Sequence, residues 1–486
     1  MVNYVTRLNV EYRRTWEIKT TGLSSFLGLW QDRVLFFSLC FYLLSQGFMI
    51  PIRAIGPSWA VWPTFSDIAV LMLLLVSLLK VSSNIRIMSA PNKVILRSLL
   101  VIFSASTISY VLFIVLFPSW SNGLTADNAG VTFGAFQLYR LVQFIIVFWV
   151  TALIPITVDR LVVLRRIVDA VLIFVFAGVV LTYLDIIPKG ILVAHLPSGL
   201  DVAGPWAFYT TNFAGSGWGT IGYNHAYVAA QVLMLVGLRI CLSLDQKILT
   251  NGILLFVAMF AIFISGSRAG LAAALVFIVA ALSKKPAYAL VILIIGVILS
   301  AIIMSAVGDL PVGSPEDILS MTTERQFMLT NAYDAESLNG RDEIWAHYLT
   351  TLKEEPSRWL VGSGFGSASG KNAHMLYLQI IFETGLIGLA IFVLVMYKIL
   401  NYLRFYEKGI KPIFWLTIAL LVSAITQETF YPVPSLGHFL GLYLCTIAVA
   451  LRSDNSKSFE VRMKDAKCVK EGTDNYSSTY SASELG

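Results

Sequence analysis

Apolar residues occupy this chain in long, unbroken runs separated by short polar interruptions. About twelve of these runs approach the roughly 20 residues that an α-helix needs to cross a bilayer. They cover 33–50, 64–80, 96–117, 133–153, 167–187, 221–242, 249–264, 268–282, 287–307, 373–398, 412–429 and 436–451. The runs are continuous and do not alternate, so the pattern predicts helices and not barrel strands. The expected fold is all-α: a polytopic integral membrane protein with about twelve transmembrane helices and one long polar loop carrying short helices.

The polar positions divide the chain further. Residues 1–32 form a polar, basic segment, 33–451 the transmembrane domain, and 452–486 a Ser-rich tail whose composition predicts disorder. Three longer loops, 51–63, 188–219 and 308–371, fall on one face. The longest of them predicts an amphipathic helix from Arg341 to about Glu354. Ser337 or Asn339 is placed to cap it, Asp342 and Glu343 sit in its first turn, and Pro356 stops it. The Gly/Ser run Gly362 to Gly370 that follows reads as a flexible spacer. A loop well over about 15 residues is usually functional or disordered. Trp345, Trp359 and charges of both signs favour the functional case.

Composition agrees with a membrane chain: 57% of residues are hydrophobic and 13% charged, against about 25% charged in soluble domains. The net charge of +6 does not imply nucleic acid, because the cations gather in alternate loops. Arg86, Lys93 and Arg97, then Arg160, Arg165 and Arg166, then Arg239 and Lys247 lie on one side, followed by Lys284, Lys285, Lys398, Arg404, Lys408 and Lys411. The positive-inside bias makes that side cytoplasmic and puts both termini there. The first apolar run has no small-residue cleavage site and reads as an anchor. Cys40, Cys241 and Cys445 fall inside spans and Cys468 in the tail, so neither a disulfide nor a Cys metal site is expected.

Three residues stand out chemically. Arg268, in Ser265-Gly266-Ser267-Arg268-Ala269-Gly270, opens a run of only about 14 residues, roughly 21 Å of helix against a hydrocarbon core of about 30 Å. The turn therefore dips below the outer surface. A guanidinium there either grips an oxyanion bidentately or snorkels to the headgroups. Arg341 opens the loop helix, as a ligand-binding cation or as a charge balanced by Asp342 and Glu343. His374 stands at the mouth of the 373–398 run. It is either a general base in the first helical turn, kept neutral by the helix dipole, or an interfacial packing residue. Tyr377 and Leu378 share its helical face. Gln379 and Glu383 point away, and Glu383 reads as a buried structural carboxylate.

Further candidates carry less. Asn224, in Tyr223-Asn224-His225, is a possible substrate contact or a cap. Glu428, at the outer end of the 412–429 run beside Gln427, is a possible substrate contact or reserve base. His195, His347 and His438 lack ligand-like spacing, so no metal and no cofactor are expected. Gly362-Ser363-Gly364-Phe365-Gly366 follows no strand and is not a dinucleotide loop.

Taken in order, Ser267-Arg268-Ala269-Gly270, Gly340-Arg341-Asp342-Glu343-Ile344-Trp345, Gly362-Ser363-Gly364-Phe365-Gly366 and His374-Met375-Leu376-Tyr377-Leu378-Gln379 with Glu383-Thr384-Gly385-Leu386-Ile387-Gly388 are distinctive. The chain resembles the O-antigen ligase and O-antigen polymerase superfamily of bacterial membrane glycosyltransferases over roughly residues 215–430. The family commonly carries Asn directly after the histidine; here Met375 stands there, with Asn372 two residues before it. The resemblance implies a transferase of the inner membrane, independent of metal and nucleotide, with a periplasmic active site. Its donor would be an undecaprenyl-diphosphate-linked glycan. Its acceptor would be a sugar hydroxyl on a second lipid carrier or on lipid A core.

Arg268 and Arg341 would bind the diphosphate and His374 would deprotonate the acceptor. Chain-length regulator and flippase proteins are the expected partners. The motifs do not separate a polymerase of O-antigen, capsule or exopolysaccharide from a ligase. Polymerase is preferred because a genome usually needs one ligase but holds several polymerases. The rival class, a flippase or transporter of the same lipid-linked sugar, predicts repeated halves and a charged central cavity; the sequence shows neither.

Overall fold

The computed structural model describes residues 22–47, 65–78, 88–116, 129–183, 225–243, 248–265, 267–281, 341–368, 373–405, 411–432 and 438–452. The expected span 287–307, the caps Ser337 and Asn339, the residues Asn224, His195 and Cys468, and the tail beyond Arg452 lie outside them. The described residues are 87% helical, without a strand.

Eleven of the expected spans have helical counterparts among the described residues: α1 Gly22–Ser45, α2 Phe65–Leu78, α3 Ala90–Ser109, α4 Ala129–Leu153, α5 Val158–Tyr183, α6 His225–Leu242, α7 Ile248–Ile264, α8 Arg268–Ala281, α11 Leu376–Phe405, α12 Lys411–Ser423 and one more. The last, α13, spans Phe439–Arg452. Between α8 and α11 stand the loop helices α9 Arg341–Glu354 and α10 Ser357–Val361. Among the described residues, three stretches, Ala90–Phe113, Phe133–Leu153 and Leu376–Arg404, are helices long and apolar enough to cross a membrane, and six shorter apolar helices accompany them.

Burial separates the helices into inner and outer ones. From Val228 to Ser243, α6 is buried almost continuously, and so is α13. A helix that is apolar all round belongs inside a bundle. Around α6 pack α5, α7, α8 and α12. Small residues permit this approach, as they do between membrane helices: a Cβ on Gly270 of α8 would run into Ala229 of α6. By contrast, α3 and α11 pack together yet leave Leu100, Val101, Ile108, Leu386, Ile387, Val393, Leu394 and Tyr397 exposed. Such contiguous apolar surface is stabilised by lipid and not by water.

Several boundaries differ from the hydropathy pattern. The helix expected over 96–117 begins at Ala90, because Pro91 suits a first turn that hydropathy alone does not register. It ends at Ser109 and continues as a π-helical stretch, Tyr110–Leu116. The helix expected over 412–429 stops at Ser423, and Ala424 to Pro432 run on as turns and irregular chain. The helix expected over 373–398 starts at Leu376 and contains a break at Gly385 (φ 68°). There the α10 backbone at Leu360 and Val361 occupies the space a Cβ would need.

A buried charge cluster ties α2, α4 and the start of α13 together. Arg140 pairs with Asp67 at 2.6 Å, and Gln143 donates to the same carboxylate oxygen at 2.6 Å. His438 lies against both Arg140 and Asp67. Its ring meets Tyr42 and Phe144 edge-on. Breaking a buried pair by removing one partner typically costs about 3–5 kcal/mol. Asp67→Ala is therefore expected to lower the thermal midpoint and the yield of folded protein in detergent; a midpoint matching the wild type would show the cluster to be dispensable.

Candidate functional site

The helix ends that carry the three sequence candidates gather at one end of the bundle. Arg268 is the first residue of α8 and Arg341 the first of α9. His374 comes just before α11, and the irregular segment 424–432 follows α12. Because α8 and α11 both pack on α12, their starts meet where α12 ends.

Arg268 is held at its level by the turn before it. Ser267 caps α8: its hydroxyl accepts the Gly270 N–H at 3.2 Å, and its carbonyl accepts Leu271 N–H at 2.9 Å. Gly270 holds the start of α8 against α6, and Arg268 is partly buried there. Arg341 lies near enough for the two guanidinium charges to repel. Two like charges held together in a partly buried place are unfavourable unless an anion joins them.

The loop helix α9 forms over the predicted residues, Arg341–Glu354, with Asp342 and Glu343 in its first turn. Tyr348 and Leu352 of α9 pack with Ala368, Ala373, Leu378 and Phe382, the Tyr348 ring edge-on to Phe382 at 4.3 Å. Burial, with Glu383 and Glu428 nearby, pushes the Tyr348 phenol well above its ordinary pKa, so it stays neutral. Trp345, one turn from Arg341 on the same face, donates its indole N–H to the Ala373 carbonyl at 2.7 Å. The residue next to His374 is thus fastened to the helix that brings Arg341.

His374 is not in the first helical turn, as the sequence predicts, but two residues before α11. Its backbone is left-handed, φ 51°, alone among described non-glycine residues. The helix-dipole and shared-face arguments therefore do not apply to it. Its N–H donates to Glu428 Oε1, and its Nδ1 stands 3.5 Å from that same oxygen. The His374 side chain is 31% exposed and that of Glu428 0%. Tyr377 is half-buried and donates its hydroxyl to the Leu421 carbonyl at 2.8 Å, tying α11 to α12.

Glu383 is fully buried and organises the other side, as expected of a structural carboxylate. It accepts N–H bonds from Gly366 at 2.9 Å and Ala368 at 3.4 Å, the Gln379 amide at 2.9 Å, and the Tyr431 hydroxyl. Gln379 in turn accepts the Ala373 N–H at 2.8 Å. Ser109, at the α–π junction, donates to the Glu383 carbonyl and accepts the Phe365 N–H, both at 3.1 Å. Residues 362–368 are therefore not a flexible spacer. They wrap the carboxylate, and positive φ at Gly362, Gly364 and Gly366 makes the wrap possible.

Segment 424–432 joins these parts. Gln427 donates to the Ser267 hydroxyl at 3.5 Å, beside Arg268. Glu428 meets His374, Tyr431 meets Glu383, and Ala424 accepts the otherwise orphaned Leu376 N–H at 2.9 Å. Sequence reasoning placed this segment at a helix end and missed Gln427, Tyr431 and Ser109. The signal available was the polar run Thr426-Gln427-Glu428-Thr429 ahead of Pro432 and Pro434, which favours leaving the helix.

Helices of this apolarity, with a buried network of carboxylates and amides at one end of the bundle, fit a membrane protein. Residues 253–393 match the family model described as O-antigen ligase, and the match supports the O-antigen ligase and polymerase superfamily that the motifs indicated. It extends from α7 through α11 and includes Arg268, Arg341 and His374. No curated protein matches the chain. The match supports an O-antigen ligase- or polymerase-type role in surface polysaccharide synthesis and does not distinguish the two.

Proposed function

We propose that the chain is a polymerase of undecaprenyl-diphosphate-linked oligosaccharide repeat units. It builds O-antigen, capsule or exopolysaccharide on the periplasmic face of the inner membrane, with both termini cytoplasmic and residues 33–451 as the transmembrane transferase domain. The observation that carries this reading is that Arg268 and Arg341 open α8 and α9 at the end of the bundle where His374 and segment 424–432 meet. A diphosphate offers both guanidiniums oxyanions to grip, and on a lipid carrier it sits at headgroup depth, where a short α8 would sink Arg268.

The chemistry follows from the residues. Arg268 and Arg341 bind the donor diphosphate. His374 accepts the proton of the acceptor hydroxyl as its oxygen bonds to the anomeric carbon. The bond from that carbon to the diphosphate oxygen breaks, and undecaprenyl diphosphate leaves with the electron pair. Two guanidiniums preorganised for this charge stabilise its development. Cleavage of the diphosphate linkage drives the reaction, so neither metal, nucleotide nor other cofactor enters it. The acceptor is the sugar of a second lipid-linked repeat unit, and Asn224 and Tyr377 are further candidates for substrate contact. Chain-length regulators and flippases are its expected partners.

The family description favours one second reading, a ligase that moves finished polymer to lipid A core. Deleting the gene and sizing the surface glycan decides between them. Loss of the polymerase is expected to leave single repeat units capping the core. Long polymer stranded on the carrier would establish the ligase instead. Repeat units trapped in the cytoplasm would overturn both in favour of a flippase.

A further inference from the structure

We propose that Glu428 is the positioning residue of the transfer site: it fixes the backbone of His374 and sets which ring nitrogen faces the acceptor. The proposal rests on the reading of His374 as the group that takes the acceptor's proton. One carboxylate oxygen, Oε1, receives the His374 N–H and faces the ring's Nδ1 at 3.5 Å. Those two groups converge on one oxygen because His374 is left-handed at φ 51°. A carboxylate at Nδ1 favours the tautomer with its proton there and leaves Nε2 as the basic nitrogen. At 3.5 Å the ring contact is longer than a good hydrogen bond; such contacts shorten when substrate closes the site.

A structural staple is the competing account, and neighbouring contacts make it redundant. Segment 424–432 is already fastened by Tyr431 to Glu383, by Gln427 to Ser267 and by the Ala424 carbonyl to Leu376. The approach to His374 is already held by Gln379 and Trp345 on Ala373. Burying a carboxylate completely is costly unless it is hydrogen-bonded or paired. The contacts of Glu428 include both the backbone N–H and the ring of His374, whose side chain remains 31% exposed. Irregular backbone within a helical membrane bundle is tolerated where it lines a cavity or is buried in protein. Uncoiling α12 at Ser423 is what delivers Glu428 to that ring.

The test is a double-mutant cycle in proteoliposomes, using the lipid-linked repeat unit extracted from the deletion strain. Glu428→Gln preserves an oxygen for the His374 N–H but removes the charge at Nδ1. It is expected to lower kcat about 10- to 100-fold, in the range of lost outer-shell partners, with KM within about twofold. On a His374→Ala background the same change is expected to have no further effect, because Glu428 works through the ring. Full activity of Glu428→Gln beside a slow His374→Ala overturns this inference alone. An equal loss on both backgrounds also overturns it, by making Glu428 independent of His374. A normal rate for His374→Ala overturns the proton-accepting role beneath it. Should Glu428→Gln not accumulate, Glu428→Asp carries the same cycle: the shorter carboxylate retains its charge but withdraws from Nδ1, and its loss must likewise vanish on the His374→Ala background.

Discussion

Arg268→Ala and Arg341→Ala are each expected to slow transfer of a lipid-linked repeat unit by about 10²- to 10³-fold, the usual cost of removing one preorganised donor to developing negative charge. Stability should change little, because Arg268 and Arg341 each open a helix whose hold on the bundle comes from other residues, Gly270 and Ser267 in α8 and Trp345, Tyr348 and Leu352 in α9. A site that loses activity without losing its thermal midpoint is one whose cations serve a ligand. Lysine at either position retains the charge but not the planar fork, and is expected to recover only part of the rate. The two losses should not add, because a single diphosphate is shared between them. Near-normal transfer by either alanine variant would remove the diphosphate role from that arginine.

The sequence showed the parts of this site that depend on local pattern. The Ser265-to-Gly270 turn marked the start of a helix, and α8 begins at Arg268. Acidic residues following Arg341, and Pro356 after Glu354, marked α9 and its approximate end. What stayed hidden depends on contacts between distant elements. Glu428 stands 54 positions from His374, and Asp67 stands 371 from His438; hydropathy carries no trace of such pairings. The breaks at Ser423 and Gly385 were invisible for a related reason. Apolar composition is the same whether the backbone is helical or not, and Leu and Ile flank both breaks. The Gly362–Gly366 run was misread as slack because glycine serves flexibility and tight wrapping alike, and only the buried carboxylate of Glu383 decides between them.

The left-handed conformation of His374 bears on how its removal must be tested. His374→Ala is expected to lower transfer by about 10²-fold or more, as loss of a general base does. Alanine also pays a steric penalty of about 1 kcal/mol at positive φ, so part of any loss could come from a shifted backbone. Asparagine is among the few residues that accept this region, and it keeps the N–H that Glu428 receives. His374→Asn is therefore the cleaner substitution. It is expected to match alanine in lost activity while keeping the wild-type thermal midpoint, with His374→Ala melting a few degrees lower. Activity near wild type in the asparagine variant would mean that the site needs the backbone of residue 374 in place and not its imidazole. Loss in both, with stability lost only in alanine, separates the proton-accepting ring from the strained turn that presents it.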